Sequence, residues 1–158
     1  MGWKWQQRPE GGRKASRVCG EERPATDSQG AQVKALLDTC VFLWLLTGER
    51  KLPERVTSGL TNDELWLSVA SVWEISVKFT KGTLRLPVPP GRMVADARKR
   101  YGISSLPVDE ESALHLVKLP RLHPDPFDRM LVSQAIVHGM TIITPDPQIA
   151  QYPARTIW

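Results

Sequence analysis

A chain of 158 residues can form one domain with a real hydrophobic core but is too short for two of full size. Its charged share of 24% and hydrophobic share of 41% are ordinary for a globular protein, and the formal charge of +4 is spread without a dense Lys/Arg block, so charge alone is weak evidence for a nucleic-acid partner. The longest wholly apolar run, Val41 to Leu46, is far below the roughly 18 residues that a bilayer span needs, and Cys19 and Cys40 have neither the number nor the spacing of a disulfide framework or zinc site.

Residues 1–32 are rich in charge and glycine and poor in aliphatic side chains, so they are expected to form a disordered leader outside a folded domain over 33–158. Basic residues near the start, Lys4, Arg8, Arg13 and Lys14, are followed by no apolar stretch, which argues against a secretory signal and for a cytoplasmic location. Trp3 and Trp5 have no physical account in such a segment, and a natural start near Val33 is one expectation.

From Val33 the character changes. Val33 to Leu37 reads as a strand ending at Asp38, and Val41 to Leu46 as a buried helix closed by Gly48. Pro53 to Leu60 reads as a short helix, Thr61-Asn62-Asp63 as a turn, and Leu65 to Val69 as a second strand. Between Ala70 and Lys81, Val72, Trp73, Ile75, Val77 and Phe79 cover more than half of a helical wheel, which predicts a mostly buried helix with Ser71, Glu74, Lys78 and Lys81 on one polar stripe.

A proline-rich loop, Leu84 to Pro90, precedes a polar helix over Gly91 to Tyr101. Ile103 to Val108 reads as a short strand, with Asp109 capping a helix that runs through Val117. Asp125-Pro126 opens a longer helix to His138, Thr141 to Thr144 is a further strand, Pro147 to Gln151 a short helix, and Arg155 to Trp158 a last strand. The alternation predicts the α/β class: a three-layer α/β/α sandwich with a mainly parallel central sheet.

In open α/β sheets the ligand crevice lies beyond the carboxyl ends of the strands, and Asp38 and Asp146 follow directly after strands. Glu74 lies on the polar stripe of a largely apolar helix, and Asp128 points out of the first turn of another. Converging carboxylates repel one another unless a divalent cation lies between them, so these four acids point to a metal site, where phosphodiester hydrolysis is a common chemistry. Plain alternatives stand beside each. Asp38, Asp125 and Asp146 can be helix caps, and Glu74 can belong to a capping box with Ser71 or to an ion pair with Lys78.

At Leu36-Leu37-Asp38-Thr39, Ser71-Val72-Trp73-Glu74-Ile75 with Lys78, Asp125-Pro126-Phe127-Asp128-Arg129 and Ile143-Thr144-Pro145-Asp146-Pro147, the chain resembles the VapC-type PIN-domain ribonuclease toxins of type II toxin–antitoxin systems. The resemblance runs from about Val33 to Trp158. It implies that Asp38, Glu74, Asp128 and Asp146 are both catalytic and metal-binding, holding Mg²⁺ or Mn²⁺, with Thr144 as a supporting hydroxyl. It implies hydrolysis of RNA by metal-activated water, a small antitoxin partner and a homodimer. One departure is Cys40, where close relatives commonly have His. Lys78, Lys81, Arg121 and Arg129 are candidate contacts to the RNA backbone. The competing expectation is a catalytically inactive PIN-like module that binds RNA or protein. An aspartyl-nucleophile phosphatase is disfavoured, because the second acid such enzymes place two residues on is Cys40 here.

Overall fold

Successive side chains of a strand point to opposite faces, and this period sets the layers. In a computed structural model that describes residues 32–158, β1 (Lys34–Leu37) sends Ala35 and Leu37 into one apolar cluster and Leu36 into another. On the first face, Phe42 and Leu46 of α1 (Thr39–Thr47), Val56 of α2 (Glu54–Asn62) and Met93 of α4 (Pro90–Tyr101) close over the sheet. On the second, Leu131, Val132 and Ala135 of α6 (Pro126–Val137) do so. Each large side chain buried this way contributes about 1.5–3 kcal/mol.

The sheet also contains β2 (Glu64–Ser68), β3 (Ser104–Leu106), β4 (Thr141–Ile143) and β5 (Arg155–Ile157), in the order β3-β2-β1-β4-β5. Every pairing in it is parallel, so the expected sandwich is correct and its sheet is parallel throughout. Parallel neighbours need crossovers. These are α1 with α2, then α3 (Val69–Thr80) with α4, then α5 (Glu110–His115) with α6; β4 returns to β5 through one 3₁₀ turn at Ile149–Gln151.

Helix ends follow local chemistry. α1 stops at Gly48, whose φ of 66° carries the left-handed turn that a side chain would disfavour. The turn expected at Thr61-Asn62-Asp63 shrinks because α2 continues to Asn62, and the Asp63 carboxylate instead accepts the Val33 N–H at 3.2 Å. The helix expected over Pro147 to Gln151 is reduced to the 3₁₀ turn: one i→i+4 bond forms, from the Ala150 N–H to the Asp146 carbonyl, and the i→i+3 bonds of Gln151 and Tyr152 then close the segment.

The largest correction concerns α3. Its polar positions Ser71 and Glu74 are buried while Trp73 is 62% exposed, so the helix is not mostly buried. Trp73 instead meets Phe127 edge to face, ring centroids 5.0 Å apart. Among the described residues no helix is long and apolar enough to cross a membrane. The leader expected over residues 1–32, with Cys19, Trp3 and Trp5, lies outside the described residues except for Gln32.

Candidate functional site

Asp38 is the first residue beyond β1 and the N-cap of α1, accepting the Cys40 N–H at 3.2 Å. Its other carboxylate oxygen accepts the Thr144 hydroxyl at 2.6 Å, and Thr144 Oγ1 in turn accepts the Asp146 N–H at 3.0 Å. Thr144 lies just beyond β4, the strand paired with β1, so one hydroxyl joins two adjacent strand ends. Burial pushes the Asp38 carboxyl above its ordinary pKa, opposed by the Thr144 and Cys40 hydrogen bonds. Burial likewise raises the Cys40 thiol, with the Asp38 charge adding to it, so this cysteine stays protonated.

Ser68, not Ser71, caps α3 by accepting the Ala70 N–H, which removes the capping-box reading of Glu74. Glu74 is 5% exposed and carries two partners: the Thr39 hydroxyl at 2.6 Å and the Lys78 ammonium one turn on. The hydrogen bond to Glu74 raises the Lys78 pKa. At the start of α6, Asp125 caps by accepting the Phe127 N–H at 2.8 Å, which leaves Asp128 free of capping duty. The Asp128 carboxyl is pushed up to about 7, first by burial and then by the charges of Asp38 and Asp125.

Asp146 lies in the loop after β4, one oxygen accepting the Gln148 N–H at 2.7 Å. Its other oxygen lies 3.1 Å from His123 Nε2, and His123 Nδ1 lies 3.4 Å from Asp128. One ligand atom from each of His123, Asp128 and Asp146 falls within 4.8 Å of the others, the spacing of a group able to surround a metal ion.

All four acids singled out in the sequence line one cavity of about 520 Å³, together with Asp125, Thr39, Cys40 and the cations Arg50 and Lys78. Sequence reasoning missed three contributors. His123 sits in a His-Pro stretch between elements, Thr39 follows the capping Asp38, and Arg50 follows α1 with its guanidinium 4.8 Å over the Trp44 ring. For Thr39 and His123 the available signal was proximity in sequence to Asp38 and Asp125, which is not a periodic one, and Arg50 carried no such signal. Arg129, in contrast, does not face the cavity: its guanidinium donates to the carbonyls of Pro120 and Leu116 and to the Tyr152 hydroxyl. Lys81 and Arg121 are exposed and do not line the cavity.

A family model described as PIN domain matches residues 35–154, a span that includes every acid of the cavity. No curated protein matches the chain. Among solved structures, VapBC2 from Rickettsia felis, bound to a DNA fragment from its promoter, has a similar fold with a TM-score of 0.61 at 12% identity, covering 79% of this chain and 98% of that one. DNA-bound VapBC from Salmonella typhimurium gives 0.57 at 17% identity, covering 80% and 98%. VapBC-1 from nontypeable Haemophilus influenzae gives 0.55 at 17% identity, covering 79% and 97%. The parallel sheet, its acid-lined crevice and a family match across both together establish that the chain belongs to the PIN domain family.

Proposed function

We propose that this chain is a divalent-metal-dependent ribonuclease, the VapC-type toxin of a toxin–antitoxin pair. The observation that carries the reading is the convergence of Asp38, Glu74, Asp128 and Asp146, from four separate elements, on one cavity. Capping accounts for Asp38 and Asp146, but Asp128 and Glu74 accept no cap bond, so a helix-cap explanation does not cover the buried Glu74 or the half-buried Asp128. Lys78 is engaged by Glu74, and the Asp128 carboxyl, raised to about 7 first by burial and then by the charges of Asp38 and Asp125, sits in a cluster of acids whose charge a divalent cation would balance. The four proposed donors are all carboxylates, which suits Mg²⁺ or Mn²⁺ rather than a thiolate-seeking metal.

Asp38, Glu74, Asp128 and Asp146 would hold the ion. When bound, the ion supplies a lowered pKa for attacking water and charge stabilisation at the phosphate. The protein's own groups do the rest. Thr144 orients Asp38, Thr39 orients Glu74, and the Lys78 ammonium fixes the second Glu74 oxygen. Arg50 and Lys78, the two cations lining the cavity, are placed to meet a polyanion's phosphates. Single-stranded or looped RNA is the proposed substrate, since its backbone can enter a crevice that a duplex cannot.

The partners proposed with this activity are a small antitoxin that blocks the acid cleft and a second copy of the chain. The similar solved VapBC structures support the antitoxin assignment at the level of fold. Asp38→Asn is expected to abolish Mn²⁺-dependent cleavage of RNA by the purified protein while the circular-dichroism spectrum stays that of the wild type. Undiminished cleavage by the folded variant would remove the assignment. The inactive binding module makes the opposite forecast in a simpler assay: wild-type protein with no measurable Mn²⁺ affinity.

A further inference from the structure

His123 lies in the segment between the 3₁₀ turn at Leu116–Lys118 and α6, where no helix or strand fixes its place. It is nonetheless held tightly. The Tyr152 phenol oxygen, 4% exposed as a residue, accepts the Leu122 N–H at 3.2 Å and the His123 N–H at 2.8 Å. Arg129 donates to the same phenol at 3.2 Å and to the Pro120 carbonyl at 2.8 Å, so one guanidinium and one phenol together lock the loop backbone.

The side chain is locked as well, with only 9% of its surface exposed. Nδ1 accepts the Asp125 N–H at 3.1 Å, so its lone pair is used and the ring proton of the neutral form resides on Nε2. Nε2, in turn, donates to the Asp146 carboxylate at 3.1 Å. Asp146 projects from a loop, unlike Asp38, Glu74 and Asp128, which are the cap of one helix and turns of two others. One Asp146 oxygen is fixed by the Gln148 N–H, and the imidazole fixes the other from the segment that leads into α6, the helix that carries Asp128.

We propose that His123 is a positioning residue of the acid cluster: delivered by the Arg129–Tyr152 clamp and oriented by the Asp125 amide, it holds the Asp146 carboxylate beside Asp128 so that both are preset for a divalent cation. The inference rests on the metal-site reading above and adds to it a residue outside the four acids. Groups that hydrogen-bond a ligand typically contribute 10–100-fold to metal affinity. In this role His123 acts through Asp146 and does not contact the ion.

The test is Mn²⁺ titration of the metal-stripped full-length protein, followed by the electron paramagnetic resonance of free Mn²⁺, for wild type, His123→Ala, His123→Gln and Tyr152→Phe. His123→Ala is expected to weaken binding about 10-fold, His123→Gln to recover part of the loss because its amide N–H can still reach Asp146, and Tyr152→Phe to weaken binding in the same direction. Electron spin echo modulation of Mn²⁺ in the wild type is expected to show no directly bound imidazole nitrogen, and the metal-free protein's His ¹⁵N spectrum to show the His123 ring, assigned by its loss in His123→Gln, with its proton on Nε2. Wild-type affinity in folded His123→Ala would overturn the proposal and leave the metal site standing. A bound nitrogen that disappears in His123→Gln would overturn it in favour of direct ligation. If His123→Ala does not fold, the Gln variant and the two wild-type spectra decide. No Mn²⁺ binding by the wild type would remove the metal-site reading itself, and this inference with it.

Discussion

Asp128 shows what a single residue contributes and what a sequence can say about it. Its place in the first turn of α6 was legible, because Asp125-Pro126 announces a helix start and fixes the direction of the acid that follows. That His123 stands 3.4 Å away was not, since nothing periodic links a His-Pro loop to a helix turn. The charge consequence is measurable. With its carboxyl raised from the ordinary 3.8 to about 7, the folded metal-free protein holds a proton on Asp128 that the unfolded chain has released. Folded protein therefore binds more protons between these values, and stability falls as pH rises from about 4 to about 7, then levels. The shift in Asp38 acts in the same direction. Urea unfolding in a chelator across that range should show this decline in the wild type and a much flatter profile in Asp128→Asn. Saturating Mn²⁺ should reverse the wild-type trend, because the cation competes with the proton for the same oxygens. Parallel pH profiles for wild type and variant would show that Asp128 carries no such burden.

At the scale of an element, α3 separates what hydrophobic pattern can and cannot predict. Its boundaries were readable from the apolar run after Leu65 to Ser68 and from Gly82 beyond its end. Its orientation was not, because five apolar residues spread around the wheel do not define one inward face. The polar stripe went inward instead: Glu74 is buried toward the acid cavity and bonded by Thr39 from α1, while Trp73 is left on the outside against Phe127. A buried acid on the inner face thus goes with apolar side chains left at the surface, a local inconsistency of the kind expected where function competes with packing, as the proposed role of Glu74 implies. Energetics should follow exposure, not side-chain size. Ile75→Ala, at a position with 0% exposure, is expected to cost about 2–5 kcal/mol, whereas Trp73→Ala, at 62%, should cost less than about 1.5 kcal/mol. Denaturant titration of the two variants checks this, and a larger loss for Trp73→Ala would mean that the outward face is integral to the fold.

At the scale of the whole molecule, topology explains how acids far apart in sequence meet. The chain builds β1, β2 and β3 toward one edge and then returns to place β4 and β5 on the other side of β1, so the order reverses between β1 and β4. At such a reversal the loops beyond the two strands diverge to opposite faces and open a crevice. Asp38 follows β1 and Asp146 follows β4, which is why alternating strands and helices in the sequence sufficed to place these two at one site. The sequence alone could not show how the two strand ends are fastened. Thr144 does this across 106 residues, donating to Asp38 and accepting from the Asp146 amide while only 3% exposed. Thr144→Val keeps the shape and removes the hydroxyl, leaving a buried carboxylate and a backbone N–H without this partner. The expected cost is about 1.5–3 kcal/mol, while Thr144→Ser, which keeps the hydroxyl and loses a methyl, should cost less than about 1 kcal/mol. Thermal and urea unfolding of both variants discriminate the causes: equal losses would assign the role of Thr144 to methyl packing, and a loss confined to valine would assign it to the bond that ties the β1 and β4 ends into one site.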